Sequence, residues 1–197
     1  MSGPRRATVE RTTRETTVSV SLFLDGAGRT AVATGVGFYD HLLTSLAHHG
    51  LFDLDVTASG DLAVDEHHTV EDVALVLGSA LAEALGDRAG IARFGSESVP
   101  MEEAAATAVV DVGGRPYAVV DLPFRGERIG ELPTQLVEHA VEAMARASGV
   151  TIHLRGYGRN DHHLAEAAFK ALGRALAAAC AIDQMREGPA STKGLLG

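Results

Sequence analysis

Asp65-Glu66-His67-His68-Thr69-Val70-Glu71-Asp72 is written twice in this chain, because Asn160-Asp161-His162-His163-Leu164-Ala165-Glu166 repeats its pattern ninety-five residues on (67 to 162). The same apolar run follows each copy. Val70, Val73, Leu77 and Leu81 correspond to Ala165, Ala168, Leu172 and Leu176, and Gly78 to Gly173. Steps of three and four place these positions on one helical face, so each motif opens an amphipathic helix with its histidines in the first turn. His67 and Glu71 stand four apart and share a face, as do His162 and Glu166. His68 and His163 point about 100° away around the helix. A single His-His pair is an ordinary polar helix start. Two in register, each with a carboxylate at the same offset, point to metal ligation. Imidazole nitrogens with carboxylate oxygens suit manganese, zinc or iron, and no set of thiolates favours a structural zinc.

The rest of the chain repeats around these motifs. From Val9 onward the sequence alternates, with Val18, Val20, Leu22 and Leu24 on one side and Glu15, Thr17, Ser19 and Ser21 on the other, a half-buried strand. Met1 to Thr8 reads as a ragged terminus and Asp25-Gly26-Ala27-Gly28 as a hairpin turn into a strand over Arg29 to Thr34. A helix from Phe38 to His49 ends on Gly50 as its C-cap, and Phe52, Leu54 and Val56 begin another strand. The second half gives strands at Glu103–Val110 and Tyr117–Leu122, a helix at Pro133–Ala147, a strand through Val150, Ile152 and Leu154, and the second His-His helix to Ile182. A further short strand fits near Ala92–Phe94. Each half is strand, strand, helix, strand, helix, which implies an α+β fold built as a duplicated two-layer α/β sandwich. The expected divisions are 9–90, 91–187 and a C-terminal tail at 188–197. Setting Val56 against Leu154 also sets His41 against His139, so these two join the candidate ligands; His48, His49 and His153 have no counterparts.

With 46 % apolar residues in 197, the chain can bury a sizeable core. Its formal charge of −9 argues against broad nucleic-acid binding, where a basic field carries most of the affinity. A phosphorylated partner must instead meet a local basic pocket. Ser191-Thr192-Lys193-Gly194 in the tail can close on a phosphate, and Arg93, Arg115 and Lys170 are further basic candidates. Cys180 is the only cysteine, which excludes an internal disulfide and fits a reducing, cytoplasmic setting. No signal-peptide core and no run of eighteen apolar residues for a membrane span is evident.

At these residues the chain closely resembles the imidazoleglycerol-phosphate dehydratase family. The resemblance runs from Val9 to Gly197 and rests on Arg11-x-Thr13-x-Glu15-Thr16, Phe38-Tyr39-Asp40-His41, both His-His motifs, Arg93-Phe94-Gly95, Gly114-Arg115-Pro116-Tyr117, Glu138-His139 and Ser191-Thr192-Lys193-Gly194. Glu66 departs from it, since the family often has Asp there. The resemblance implies a tandem fold like ribosomal protein S5 domain 2 and a homo-oligomer of 24 subunits with sites where subunits meet. It also implies two manganese ions per site. One ion would take His67, Glu71, His139 and His163, the other His41, His68, His162 and Glu166, each leaving two octahedral positions open. The implied reaction dehydrates D-erythro-imidazole glycerol phosphate to imidazole acetol phosphate through an imidazolate and a diazafulvene-like intermediate, with the metals as Lewis acids. Glu15 resembles the family's mobile acid–base, while Arg93, Arg115, Lys170, Ser191 and Lys193 would hold the phosphate. Without the resemblance, a dinuclear phosphatase or hydrolase and a non-enzymatic metal-binding shell protein remain open readings of the same residues.

Overall fold

Alternation along the second strand decides which side of the first sheet is covered. Thr16, Val18, Val20 and Leu22 are buried while the residues between them are not. A computed structural model describes residues 4–196; Met1 to Gly3, at the start of the expected ragged terminus, and Gly197 lie outside the described residues. Half one runs β1 (Arg6–Thr12), β2 (Thr16–Phe23), β3 (Thr30–Ala33), α1 (Gly37–Gly50), β4 (Asp53–Gly60) and α2 (His67–Leu85). Half two runs β5 (Phe94–Met101), β6 (Ala104–Asp111), β7 (Tyr117–Asp121), a short hairpin of β8 (Arg128–Ile129) and β9 (Leu132–Pro133), α3 (Thr134–Ser148), β10 (Thr151–Tyr157) and α4 (Asp161–Cys180).

The two halves have the same topology. The sheets are ordered β1-β2-β4-β3 and β5-β6-β10-β7, antiparallel except for the closing parallel pairs β3–β4 and β7–β10. Each half lays two helices on one face of its sheet, and the helical faces then meet, α1 on α4 and α2 on α3. One continuous apolar core results, running from Val18 and Val56 on one sheet to Ala108 and Leu154 on the other. Every helix-to-helix contact of consequence therefore joins one half to the other. The duplicated α+β fold expected from the repeat is the fold the chain adopts.

Four local expectations need correction. Residues 6–8 are not ragged but belong to β1, which pairs with β2 along its whole length from Arg6↔Phe23 to Thr12↔Thr17. Arg5 anchors its start on the Asp25 carboxylate and the Cys180 carbonyl. The short strand expected near Ala92–Phe94 is the full edge strand β5, whose Pro100 is tolerated because an edge leaves one row of amides unpaired. Asp25–Gly28 is not a hairpin turn: the chain passes over the end of β4, and β3 pairs on its far side. Asp53 accepts the Ala27 and Arg29 amides and the Arg29 guanidinium, fixing this crossing. Finally, Leu51 rather than Gly50 takes the left-handed C-cap conformation of α1, at φ 57°. Gly50 serves close approach instead, since a Cβ there would stand 2.9 Å from the Gly173 carbonyl oxygen.

The paired glycines of the repeat set the helix crossings. A Cβ at Gly173 would collide with the Leu46 carbonyl oxygen and lie 2.9 Å from its carbon; one at Gly78 would stand 2.6 Å from the Met144 oxygen. Backbone cannot move aside as a side-chain tip can. In a free helix Gly→Ala is stabilising by about 1 kcal/mol, but here overpacking costs about 1–3 kcal/mol. Gly173→Ala is therefore expected to lower Tm by about 2–12 °C in a thermal melt. An unchanged or higher Tm would mean that α1 and α4 have slack between them.

Candidate metal centre and active site

The two inter-half contacts carry the ligand candidates. Where α1 meets α4, His41 Nε2 lies 2.9 Å and His162 Nε2 3.2 Å from the same oxygen of Glu166. Where α2 meets α3, His139 Nε2 is 3.5 Å from one oxygen of Glu71 and His67 Nε2 is 4.0 Å from the other. In each trio the ligand atoms lie within 4.8 Å of one another. The i, i+4 spacing supplies a His–Glu pair from one half, and the opposite half's first helix supplies the third group. The trios correspond residue for residue across the repeat: His41 with His139, His162 with His67, Glu166 with Glu71.

Their donor chemistry fits a divalent cation. Nitrogen and carboxylate oxygen converge without sulfur, a set suited to first-row ions. One atom lacks any other explanation. His139 Nε2 is buried and makes no hydrogen bond, although it faces Glu71. Leaving such a nitrogen unpartnered is costly unless something enters the trio. The two carboxylates differ in surroundings. Burial pushes the Glu166 carboxyl up, but hydrogen bonds from Lys170 at 2.7 Å and from His41 outweigh it and hold its pKa at about 2. Glu71 is more open and meets Arg146 at 3.2 Å.

The second histidine of each pair stands apart from the trios of its own chain. His68 Nδ1 donates to Asp61 at 3.0 Å, and its Nε2 lies 3.8 Å from Glu15. The His163 Nδ1 donates to Glu103 at 2.9 Å. Glu15 projects from the β1–β2 turn with its side chain 53 % exposed. That turn is hydrogen-bonded beneath it. Thr13 Oγ1 accepts the Glu15 and Thr16 amides, and buried Asp72 accepts from Thr16 Oγ1 and from Arg11 at 3.1 Å.

A separate cleft of about 580 Å³ collects Arg93, Arg115, Ser191 and Lys193. Arg93 is largely committed there, donating to Asp111 at 2.7 and 3.0 Å and to the Ala190 carbonyl at 2.7 Å, which ties the tail down. Arg115 and Lys193 remain exposed. Lys170 is not in this cleft within one chain; it stands on Glu166. Sequence reasoning missed Asp61, Glu103 and Arg146. A glutamate immediately before the second strand of each half, Glu15 and Glu103, was the signal available for one of them. Burial pushes the Cys180 thiol up to about 12, as befits a packed small group. Among the described residues no helix is long and apolar enough to cross a membrane.

Fold and site together define a class: an internally duplicated α/β protein whose halves assemble paired His–Glu–His trios with donors suited to a divalent metal. A family model described as imidazoleglycerol-phosphate dehydratase matches residues 34–176. The imidazoleglycerol-phosphate dehydratase of Chloroflexus aggregans is 54 % identical over 198 residues, covering 100 % of this chain and 97 % of the relative. That of Acetivibrio thermocellus is 50 % identical over 193 residues, 98 % of this chain and 99 % of the relative. Among solved structures, the Staphylococcus aureus enzyme superposes with a TM-score of 0.82 at 34 % identity, over 90 % of this chain and 99 % of that one. The Pyrococcus furiosus enzyme, solved in complex with (S)-C348, gives 0.82 at 35 % identity over 95 % and 100 %. The chain belongs to the imidazoleglycerol-phosphate dehydratase family. It is an enzyme of the hydro-lyase type and belongs to histidine biosynthesis.

Proposed function

We propose that the chain dehydrates D-erythro-imidazole glycerol phosphate to imidazole acetol phosphate and water on two divalent ions, manganese in the working enzyme. The observation that carries this reading is the repeated trio at the two inter-half helix contacts. His67, Glu71 and His139 would hold one ion and His41, His162 and Glu166 the other. His163 would join the first set and His68 the second. Within one chain these two imidazoles are held by other carboxylates, so the reading takes them from neighbouring copies in a cytoplasmic assembly of 24 subunits. When bound, the ions supply Lewis acidity for the substrate's imidazole ring.

The chain's own residues do the remainder. Glu15 lies outside both trios on a braced turn, free to give its proton to the hydroxyl that leaves the ring-bearing carbon as water and then, as the carboxylate, to take the proton from the adjacent carbinol carbon. The resulting enol tautomerises to the ketone. Arg93, Arg115, Ser191 and Lys193 bind the phosphate, with Lys170 added from another copy, and this remote binding energy orients a small substrate. The test is to give the metal-loaded protein imidazole glycerol phosphate and follow ketone and inorganic phosphate together. Ketone without phosphate is expected; phosphate release would instead favour a dinuclear hydrolase. Lys193→Ala is expected to raise KM far more than it lowers metal content. An unchanged KM would remove Lys193 from the site.

A further inference from the structure

The two halves treat the second histidine of the pair differently, and the difference follows the repeat. β2 and β6 occupy the same sheet position, Thr16 and Ala104 open them, and so Glu15 and Glu103 are counterparts on the first hairpin of each half. Each faces the second histidine of its own half. In half two, Glu103 Oε2 accepts His163 Nδ1 at 2.9 Å, while its other oxygen accepts the Arg159 and Asn160 amides at 3.0 and 2.8 Å. In half one, Asp61 has taken that work, accepting His68 Nδ1 at 3.0 Å, and Glu15 stands off at 3.8 Å from Nε2. Pairing Val56 with Leu154 puts Arg159 at the position of Asp61, so half two has no carboxylate there.

We propose that Glu103 and Asp61 are positioning residues that each fix one imidazole by its Nδ1 and so present Nε2 as a metal ligand, and that Asp61 thereby releases Glu15 for work on substrate. This rests on the two-ion reading above. Facing a carboxylate, Nδ1 carries the proton, which leaves Nε2 with its lone pair free to ligate. His163 Nε2 makes no hydrogen bond and is not buried among the described residues. Glu102, Glu103 and His163 also lie close enough to suggest a third ion site. Glu103, with both oxygens already accepting, and Glu102, on the exposed hairpin, argue for a clamp instead.

The experiment titrates Mn²⁺ into metal-stripped wild type, Glu103→Gln, Asp61→Ala and Glu102→Gln, counting free ion by electron paramagnetic resonance and checking assembly mass by light scattering. A glutamine amide must either donate to Nδ1, which moves the ring proton to Nε2, or turn its donors on the Arg159 and Asn160 amides. Glu103→Gln is expected to weaken one class of ion about 10–100-fold and leave the other unchanged. Asp61→Ala, which removes the Nδ1 acceptor outright where an asparagine oxygen would still accept, should weaken the other class by a similar factor, and Glu102→Gln neither. Should Glu103→Gln fail to assemble, Asp61→Ala decides. Unchanged affinities, or equal weakening of both classes by one variant, overturn the inference and leave the two-ion site standing. A wild-type chain that takes up fewer than two ions overturns both.

Discussion

Glu15→Gln is expected to lose about 10²–10⁴-fold in kcat for ketone formation while retaining both ions and its assembly mass. The substitution keeps the size and polarity of the side chain and removes only its capacity to take a proton. Its backbone is held independently of the carboxylate, through Thr13 Oγ1 beneath the turn and Asp72 on α2 behind it. His68 keeps its Asp61 partner, so the ligand geometry does not depend on Glu15. Steady-state kinetics, metal analysis and light scattering on one preparation separate these effects. Loss of activity together with metal would show Glu15 to be a ligand or an orienting group. Activity within tenfold of wild type would move the proton transfer to another residue.

Much of the site was legible because it is written in helices. A spacing of four fixes which side chains share a face whatever the surroundings, so His67 with Glu71 and His162 with Glu166 could be paired before any fold was known. His41 and His139 needed only the register of the repeat. That their helices meet the opposite half was not legible, because which helices face each other depends on the sheets beneath them. The edge strands were harder still. β1 is largely exposed, with an exterior pattern that carries little apolar alternation, and its pairing rests on backbone amides common to every sequence. The β3 crossing was hidden for a related reason: Asp-Gly-Ala-Gly has turn chemistry, and only Asp53 from a distant strand diverts it over β4. Lys170 shows the limit for charges. Its proposed role concerns phosphate, whereas within one chain its nearest partner is Glu166, four residues before it on the same helix.

Removing the metal is expected to abolish turnover and to lower Tm by about 10–20 °C, with both restored by Mn²⁺. The magnitude follows from linkage: an ion at a hundred times its Kd adds about 2.7 kcal/mol per site, and in a domain of this size each kcal/mol moves Tm by about 2–4 °C. Two independent sites reach the stated range. The stripped chain should still fold, because its trios are not left as bare charge. Lys170 stands on Glu166 and Arg146 on Glu71, so each carboxylate keeps a cation when the metal is gone. The two sites should respond unequally to truncation. Glu166 is buried, and Glu166→Ala leaves Lys170, itself only 19 % exposed, without its partner, so stability falls even in the stripped protein. Glu71 is more open, and Arg146 beside it is 59 % exposed and can turn to water, so Glu71→Ala should cost metal affinity with little change in the stripped Tm. Calorimetric melts of both variants with and without Mn²⁺ test this. A stripped wild type that melts at the loaded temperature and still turns over at full rate would dismiss the metal centre altogether.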